Sequence, residues 1–448
     1  MTLFHRRIIY IIFFIIFSTA APIIVFYSSG YRYNFKKNNW QKTGLIFLET
    51  KPKEVNVYLN GKKIDQYSPI HIKNLLPNEY TIILTKPGYA QWKKNISVYA
   101  GESTTIQYVR LFKDSPFPRM IVNGDINQAI FNENKTKIAY IKKNEAINNI
   151  YVLNISDNSS RHIYSTKEDI VKLAFVNNKL AVYLKNNILI IDALDPATFL
   201  NFSELSNVYT AANIKIDPNN TNYIYYLRDG YLMGFNLITR VNQTFDISNT
   251  RIIDYFVAYG KIYFLNNESL NKIMLKKASL ENVDEKINIT TFDSSNGYSI
   301  IEIKDNLIVV QNNTKQDLIL FDETSGQKEI IKNITDYELS SDGNKLLFYN
   351  TLGLLSYDRL KNNDKYTLFA RTAEQITASA WYSVDTHLLY IINGTTLKIT
   401  ENLYANRLTY DLIKLDNIRN ILTDKKGDEI YFIAQIGNQR GLYRIEIE

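Results

Sequence analysis

The chain has few residues of the kinds that usually carry chemistry. It contains no cysteine, which excludes disulfides, thiolate nucleophiles and cysteine-ligated zinc or iron–sulfur sites. Its four histidines, His5, His71, His162 and His387, do not lie at metal-ligand spacing from one another. His387 begins a predicted strand, where we expect an ordinary residue at the rim. The histidine pattern therefore predicts no metal site.

Carboxylates occur in pairs at several places in the sequence, for example at Asp284-Glu285 and Glu446/Glu448. Proximity in sequence does not make a catalytic dyad, and exposed turn carboxylates are the simpler interpretation. The sequence has no glycine-rich phosphate loop and no Gly-x-Ser-x-Gly elbow. We therefore expect a protein that is not an enzyme, has no catalytic, cofactor-binding or metal-binding residues, and needs no cofactor. The ligand-binding residues stay unassigned.

A sequence motif, called the repeated phrase below, recurs about every 42 residues from 137 to 446. Each copy is a polar or charged residue followed by an apolar strand, a short turn and a second strand. A further strand precedes each copy, and a more polar strand follows it. The eight copies begin with Lys137-Ile138-Ala139-Tyr140, Lys179-Leu180-Ala181-Val182, Asn222-Tyr223-Ile224-Tyr225, Lys261-Ile262-Tyr263-Phe264, Asn306-Leu307-Ile308-Val309, Lys345-Leu346-Leu347-Phe348, His387-Leu388-Leu389-Tyr390 and Glu429-Ile430-Tyr431-Phe432.

Three or four short strands per period predict an all-β fold with an eight-bladed β-propeller over residues 117–448. Seven blades are the alternative count. A large β-sandwich or two smaller barrels would also show many short strands, but neither explains a fixed period. The last unit supplies only three strands before the sequence stops. We therefore predict that Pro118 to Asn123 becomes the outer strand of the last blade and closes the ring.

An apolar run without a charge extends from Ile8 to Tyr27. At about 1.5 Å per residue, a helix of this length spans a hydrocarbon core of about 30 Å. Arg6 and Arg7 precede the run, as in a secretory signal, and Thr19-Ala20-Ala21 offers small residues for cleavage. Because Pro22 follows and the run continues, we expect an uncleaved signal anchor. Residues 1–27 then form a cytoplasmic tail and a transmembrane helix whose residues Ile8 to Tyr27 contact membrane lipid.

The orientation of this anchor is less strongly indicated, because Arg32, Lys36 and Lys37 balance the basic residues before the run. The short tail and the large β-rich body favour an N-terminus inside and a body outside the cytoplasm. Residues 28–43 are interpreted as a juxtamembrane linker. Its aromatic residues, such as Tyr31 and Trp40, either rest at the lipid headgroups or belong to a plain linker.

Residues 44–112 carry a second strand pattern, which includes the strand Val55 to Leu59 followed by Asn60-Gly61. That dipeptide is the strongest short hairpin signal, because both central residues of a type I′ turn need positive φ. A small β-sandwich is predicted. The segment also contains Val57-Tyr58-Leu59-Asn60-Gly61-Lys62, Ser68-Pro69, Tyr80 and Pro87-Gly88-Tyr89.

Through these residues the segment resembles the PEGA domain, a short β-module of bacterial and archaeal surface proteins. Pro52-Lys53-Glu54-Val55 stands in place of Pro-Glu-Gly-Ala, and Asn78 stands where the later turn usually has Gly. Because Asn tolerates the left-handed region, the fold can survive the second change. The resemblance implies a fold and no shared catalytic residues. The repeats of residues 137–446 resemble propeller units of the WD40 and TolB kind. Ser341-Asp342-Gly343 is the nearest local match to the turn of those units.

The predicted function is binding. The net charge of +7 comes from scattered Lys and Arg, so we expect no nucleic-acid partner. We expect a single-pass protein of the bacterial cell membrane that displays the propeller outside the cytoplasm as a binding or scaffold head, with a protein or a cell-wall polysaccharide as partner. The alternatives are a hydrolase or lyase that acts on envelope glycans in the propeller funnel, and a scaffold that faces the cytoplasm. The funnel enzyme would need carboxylates, Tyr or Arg from several blades to converge on the axis.

Overall fold

The chain divides into two compact units. Unit 1 consists of Met1–Pro116, Tyr404–Leu412 and Glu446–Glu448, and unit 2 consists of Phe117–Leu403 and Ile413–Ile445. The structure is a computed structural model that describes residues 3–176, 179–193, 195, 197, 199–217, 219–269, 271–382, 386–403 and 406–448. The described residues are mostly strands, as the repeated strand pattern predicted.

Unit 1 begins with the helix α1, Leu3–Ser28, which contains Pro22. Its apolar side chains are exposed along its length, for example Phe14 at 70%. The span Arg6–Ser28 is long and apolar enough to cross a membrane, since 23 residues of helix reach about 34 Å. A membrane anchor and a signal sequence both have these properties.

The rest of unit 1 is a small β-domain with an unusual parallel pair. Strand β3 pairs with β9 in parallel and with β6 antiparallel, and a second sheet has the order β5-β4-β7-β8. Fully buried residues such as Trp92, Leu48 and Ile82 form the core between the sheets. The strands are β1 (Tyr31–Asn34), β2 (Asn39–Lys42), β3 (Gly44–Lys51), β4 (Asn56–Leu59), β5 (Lys62–Tyr67), β6 (Ile70–Leu75), β7 (Asn78–Thr85), β8 (Trp92–Val98) and β9 (Ser103–Arg110).

The turn predictions for this domain are partly confirmed. Asn60 and Gly61 have φ of 49° and 80° and join β4 to β5, as a type I′ hairpin requires. Asn78 begins β7 without a positive φ, so its tolerance of the left-handed region is not needed. Glu54, which replaces the family's Gly, has φ of 60°. That position therefore carries the backbone strain.

Among the described residues, 32 consecutive strands and one short helix, α2, Phe202–Ser206, follow. They form unit 2, except that part of β38 and the last residue of β41 belong to unit 1. The first half comprises β10 (Arg119–Asn123), β11 (Asp125–Phe131), β12 (Lys137–Asn144), β13 (Ile147–Asn154), β14 (Ser160–Thr166), β15 (Ile170–Val176), β16 (Lys179–Leu184), β17 (Ile188–Asp192), β18 (Phe199–Asn201), β19 (Ala212–Ile216), β20 (Tyr223–Arg228), β21 (Tyr231–Asn236), β22 (Asn242–Phe245), β23 (Ile252–Ala258), β24 (Lys261–Ser269), β25 (Lys272–Ser279) and β26 (Lys286–Asp293). The second half comprises β27 (Tyr298–Lys304), β28 (Leu307–Asn312), β29 (Asp317–Asp322), β30 (Lys328–Ile331), β31 (Asp336–Leu339), β32 (Lys345–Asn350), β33 (Gly353–Asp358), β34 (Tyr366–Ala370), β35 (Ile376–Tyr382), β36 (His387–Ile392), β37 (Thr396–Glu401), β38 (Thr409–Lys414), β39 (Asp416–Thr423), β40 (Glu429–Ile436) and β41 (Gln439–Glu446).

Among the described residues, these strands form eight four-stranded sheets, one for each repeat of the sequence. Sheets 1 to 7 take four successive strands each, from β11–β14 to β35–β38. Sheet 8 has the order β10-β41-β40-β39. Strand β10 pairs antiparallel with β41, with Met120 opposite Tyr443 and Val122 opposite Leu442. The predicted closing strand is confirmed.

Buried apolar clusters join neighbouring sheets into a ring. Each cluster contains residues of two neighbouring sheets, from sheets 1 and 2 through sheets 6 and 7, and finally sheets 8 and 1. One residue from each of the two sheets is given for every cluster: Val152/Leu180, Ile190/Ile224, Leu232/Ile262, Leu275/Ile308, Val309/Leu346, Leu347/Leu388 and Ile138/Tyr431. Between sheets 7 and 8, the Tyr382 hydroxyl donates a hydrogen bond to the Gly427 carbonyl. Because each sheet packs on both faces, its central strands are apolar runs rather than alternating ones, as in β36, where all six residues are buried.

The innermost strand of seven of the eight sheets contains a β-bulge near its first residues. Such a bulge turns side chains away from the regular alternation. The register shifts lie at Ile126/Gln128, Ile170/Lys172, Ala212/Lys215, Ile252/Asp254, Ile300/Glu302, Ile376/Ala378 and Asp416/Arg419. We call the end of unit 2 at which these strands begin the bulge end.

Candidate functional site

A cavity of about 380 Å³ lies where the inner strands of sheets 2 to 5 begin. We call it the inner-strand cavity. Strands β15, β19, β23 and β27 contribute its wall, together with Tyr183 from β16. Its lining residues are Lys172, Tyr183, Asn213, Lys215, Ile216, Asp254, Phe256, Val257, Ser299, Ile300 and Ile301.

The bulges of these strands select which side chains line the cavity. Lys172, Lys215 and Asp254 each stand immediately after a register shift. Asn213 lies within the bulge of β19 and has φ of 50°, a left-handed value that Asn tolerates better than most residues. Four separate blades therefore bring polar side chains to one place, although each of their strands is otherwise mostly apolar.

Asp254 is buried, and both of its carboxylate oxygens are used. Its Oδ2 accepts a hydrogen bond of 2.7 Å from the Ile300 backbone N–H in the next sheet. Its Oδ1 lies 3.3 Å from both Lys215 Nζ and Asn213 Nδ2 in the preceding sheet. This carboxylate therefore joins three sheets and compensates one lysine charge.

Lys215 is held at the centre of this arrangement. Its ammonium group also donates to the Tyr255 carbonyl and lies 4.9 Å from the centroid of the Tyr255 ring. Burial lowers the pKa of Lys215, while the charge and hydrogen bond of Asp254 oppose that shift. The Tyr255 hydroxyl donates 2.6 Å to the Asn213 carbonyl, and burial raises the pKa of Tyr255 well above its usual value. Tyr255 thus stays neutral and, through this hydrogen bond, fixes the backbone of Asn213 from outside the cavity lining.

Lys172 has no such compensation. Its Nζ lies 4.6 Å from the centroid of the Tyr183 ring, and it has no hydrogen bond or ion pair to a described residue. Desolvation by the surrounding atoms lowers the pKa of Lys172, and the positive charge of Lys215 lowers it further. The cavity thus holds two lysines and one carboxylate that is fully occupied. An anionic group would supply what Lys172 lacks.

Two further cavities among the described residues of unit 2 lie at the bulge end. One, of about 350 Å³, is lined by sheets 7, 8 and 1 and includes Arg419 and Arg440. Arg419 donates 2.9 Å to the Ile126 carbonyl, and Arg440 donates 2.9 Å to Gln435 Oε1. The other, of about 370 Å³, lies between sheets 6 and 7 around Asn350. The bulge end therefore offers several recesses spread around the ring.

The structure does not bring the histidines together. His71 stacks on Phe47 in unit 1, and His162 is exposed and bonds to Ser165 at 2.8 Å. His387 begins β36 as predicted, but it is buried and contacts Thr386 rather than lying at the rim. The side chain of His5 lies outside the described residues. Within the part of the chain that the structure describes, no group of three or more His, Asp or Glu could hold a metal ion.

The two carboxylate pairs have different surroundings. Asp284 and Glu285 are exposed beside a turn, as expected. Glu446 and Glu448 were interpreted in the same way, but that interpretation is wrong for Glu448. Its carboxylate is almost inaccessible and pairs with Arg110 and, at 2.8 Å, with Lys51 Nζ, all within unit 1. Glu448 has a structural role.

The inner-strand cavity was not predicted, although the sequence contains a signal for it. Each of the four strands has a charged residue directly after its register shift: Lys172, Lys215, Asp254 and Glu302, of which the first three line the cavity. A charge at the same place in four successive repeats marks a shared position in the fold. The bulge that turns these side chains depends on packing within the ring and leaves no short motif.

Comparisons with known proteins agree with this architecture. Residues 43–111 match the model of the PEGA domain, one residue from the predicted bounds at each end. No curated protein matches the chain. Among solved structures, the C-terminal WD40 domain of Sif2 is similar, with a TM-score of 0.50 and 14% identity over 75% of this chain and 99% of that one. The propeller of Dos1 matches with a TM-score of 0.49 and 11% identity over 73% of this chain and 95% of that one. The chain thus contains a PEGA domain and a WD40-like β-propeller.

Proposed function

We propose that this protein is a membrane-anchored interaction protein whose propeller binds a carboxylate-bearing protein partner at the bulge end. Lys172 carries the proposal. It is a lysine in a cavity, beside a second lysine, and has no described acidic partner. A carboxylate placed near it would form a charge-assisted hydrogen bond and relieve the repulsion between the two lysines.

The cavity matches one acidic side chain in size and chemistry. Phe256, Val257 and Ile216 form an apolar wall that would contact the methylene groups of a Glu side chain. Asn213 and Ser299 add polar groups beside the lysines. We take a protein as the partner because the bulge end has a further cavity, with Arg419 and Arg440, between other sheets of the ring. A partner with an extended acidic surface can reach several of them.

A titration with short peptides tests the proposal. The full chain in lipid nanodiscs is titrated with a Glu-rich peptide, with its Gln counterpart and with oligogalacturonate. We expect the Glu peptide to bind at least about tenfold more tightly than the Gln peptide, because a charge-assisted hydrogen bond contributes about 1.5–3 kcal/mol. Lys172→Gln should abolish the difference. Lys185→Gln is the matched control, since Lys185 is exposed in the turn between β16 and β17 of the same sheet and should leave it intact.

Equal binding of the Glu and Gln peptides by the wild type would reject carboxylate recognition at Lys172. Tight binding of oligogalacturonate in place of the peptide would retain the cavity and replace the protein partner with an acidic polysaccharide. No interaction with nucleic acid is part of the proposal.

We propose binding rather than catalysis because of Asp254. Glycoside hydrolases normally use two carboxylates with free oxygens. Among the described residues that line the cavity, Asp254 is the one carboxylate, and its oxygens are occupied. The convergence of titratable groups from several blades still favours a lyase as the second candidate, with Lys172 as the base, since its lowered pKa suits proton abstraction. Unsaturated products from polygalacturonate, formed by the wild type and not by Lys172→Gln, would decide for the lyase.

The orientation is part of the proposal: α1 anchors the chain, and the body lies outside the cytoplasm. Because the chain has no cysteine, single-cysteine variants report topology directly. We expect Asn362→Cys, in an exposed turn of unit 2, to react with a membrane-impermeant maleimide in intact cells. Thr2→Cys should react only after permeabilisation. The reverse pattern would place the body in the cytoplasm.

A further inference from the structure

The segment that we interpreted as a juxtamembrane linker is a structured β-hairpin. Strands β1 and β2 pair from Tyr31 opposite Lys42 to Asn34 opposite Asn39. We call residues 31–42 the juxtamembrane hairpin. We infer that it binds the surface of a bilayer that contains anionic lipids. The inference rests on the proposed anchoring by α1 and adds a separate contact with the lipid headgroups.

The hairpin is fixed to the end of α1. The Arg32 guanidinium donates to the carbonyls of Tyr27 and Tyr31, each at 2.8 Å, and lies 3.4 Å from the centroid of the Tyr27 ring. It also donates 3.1 Å to Asn74 Oδ1 in the PEGA domain. At the base of the hairpin, the Thr43 N–H and hydroxyl both donate to the Gly30 carbonyl. If α1 spans a bilayer, the hairpin must therefore lie where the helix leaves the hydrocarbon.

Aromatic side chains of the hairpin continue the apolar surface of the helix. Trp40 stacks on Phe26 with 5.7 Å between ring centroids, and Tyr33 packs edge-on against Trp40 at 5.6 Å. Tyr33 also contacts Phe35, which is 84% exposed. Trp and Tyr are the residues that prefer the boundary between hydrocarbon and water. A position at this boundary explains why the aromatic cluster at the end of the apolar helix is exposed.

The charge of the segment complements anionic headgroups. Residues 28–43 contain Arg32, Lys36, Lys37 and Lys42 and no acidic residue. Lys36 and Lys37 lie exposed at the tip, where their backbone N–H groups donate to Asn34 Oδ1 at 3.0 and 3.2 Å. Their side chains have no described acidic partner. A basic residue at an anionic surface contributes about 1 kcal/mol, so two such lysines give the hairpin a clear lipid preference.

Quenching of Trp40 by brominated lipid tests the position of the hairpin. The chain has three tryptophans, and Trp92 and Trp381 are buried in the two units. The full chain is reconstituted in vesicles whose phosphatidylcholine carries bromine near the headgroup or near the chain end. We expect the headgroup-side bromine to quench part of the fluorescence more strongly than the deep bromine. Trp40→Phe, which keeps an aromatic ring, should remove that part.

A second comparison tests the lipid class. Brominated phosphatidylglycerol and brominated phosphatidylcholine are compared at equal mole fraction. The wild type should be quenched more by the anionic lipid, with a preference of up to about fivefold for each lysine. Lys36→Gln/Lys37→Gln should lose that preference and keep the quenching by phosphatidylcholine. Equal quenching of the wild type by the two lipids would overturn the anionic part of the inference.

The inference and the proposed anchoring fail in different ways. A chain that does not float with vesicles refutes anchoring by α1. A chain that floats but whose fluorescence is the same in wild type and Trp40→Phe, with no quenching by either bromine, refutes the hairpin contact. Disulfide-linked dimers formed by Asn38→Cys in such vesicles, without quenching of Trp40, would assign the hairpin to a contact between two copies and would likewise overturn the inference.

Discussion

Lys172 and Lys215 differ in how their charges are compensated, although both line one cavity. Lys215 has Asp254 at 3.3 Å, whereas Lys172 faces the Tyr183 ring and repulsion from Lys215. A group whose pKa is lowered in the folded protein binds fewer protons there than in the unfolded chain. Its contribution to stability is therefore unfavourable at neutral pH and improves as the pH rises through the lowered value. A residue that costs stability is a candidate for function.

The substitution Lys172→Met should raise stability while it removes binding. It takes away a charge that Lys215 repels, on a side chain that is exposed to solvent, and keeps the length of the side chain. We expect the melting temperature of unit 2 to rise slightly, by up to about 2 °C, and affinity for the Glu-rich peptide to be lost. Differential scanning calorimetry and the peptide titration measure the two effects. Lys185→Met, outside the cavity, should change neither.

The pH dependence of binding has a defined sign. Only the protonated lysine attracts a carboxylate, so affinity should fall as the pH rises through the pKa of Lys172. Because that pKa is lowered, the loss should begin at a lower pH than for an ordinary lysine. An affinity for the Glu-rich peptide that stays constant up to the usual lysine range would contradict the role assigned to Lys172.

Asp254 and Lys215 should behave as a coupled pair. Asp254→Asn keeps an acceptor for the Ile300 N–H but leaves Lys215 without its counter-charge, and we expect a loss of about 2 kcal/mol. Lys215→Met in the Asp254→Asn background should restore part of that loss. A double-mutant cycle from chemical denaturation measures the coupling, for which we expect about 1 kcal/mol. Additive effects would show that the pair does not interact.

Glu54 occupies a left-handed position, where a Cβ costs energy. The substitution Glu54→Gly should stabilise unit 1 by about 0.5–1 kcal/mol, because relief of the strain exceeds the added entropy of the unfolded chain. Hydrogen exchange of β3 and β4 reports on this unit. Lys53→Gly is the matched control. Its φ is not positive, so the same change should destabilise the unit or leave it unaltered.

At the scale of elements, the central strands of unit 2 could be predicted and the inner strands could be predicted only in part. Strands such as β12 and β36 are buried on both faces, and this burial produced the apolar phrase that repeats in the sequence. The bulges of the inner strands arise from how neighbouring sheets pack. Asp254, for example, bonds to the backbone of Ile300 in the next sheet. No local pattern reports a partner 46 residues away, so the cavity was missed.

Closure of the ring depends on the contact between β10 and β41. A Cβ at Gly441 would overlap the carbonyl oxygen of Val122. We therefore expect Gly441→Ala to destabilise unit 2 by about 1–3 kcal/mol and to increase hydrogen exchange in β10 and β41 first. Gly297→Ala meets only ordinary contacts with Asn313 and should change stability by less than about 0.5 kcal/mol. Protection of β10 that is equal in both variants would mean that this strand does not close the ring.

At the scale of the whole molecule, the order of parts was predictable because each part has its own period or length in the sequence. An apolar run of helical length, a hairpin signal in a short β-pattern and a repeated strand phrase are separate signals. The structure adds that the segment between helix and PEGA domain is itself folded, since Arg32 bonds to both. The aromatic and basic residues of 28–43 did not alternate clearly enough to predict strands.

We propose that the propeller binds an acidic partner through the inner-strand cavity. Photo-crosslinking tests it most directly: a Glu-rich peptide with a diazirine group is irradiated with the full chain in nanodiscs, and the attachment sites are mapped by mass spectrometry. We predict cross-links on β15, β19, β23 and β27 around Lys172 that disappear with the Gln peptide. Cross-links elsewhere on the chain, or the same pattern with both peptides, would contradict the claim.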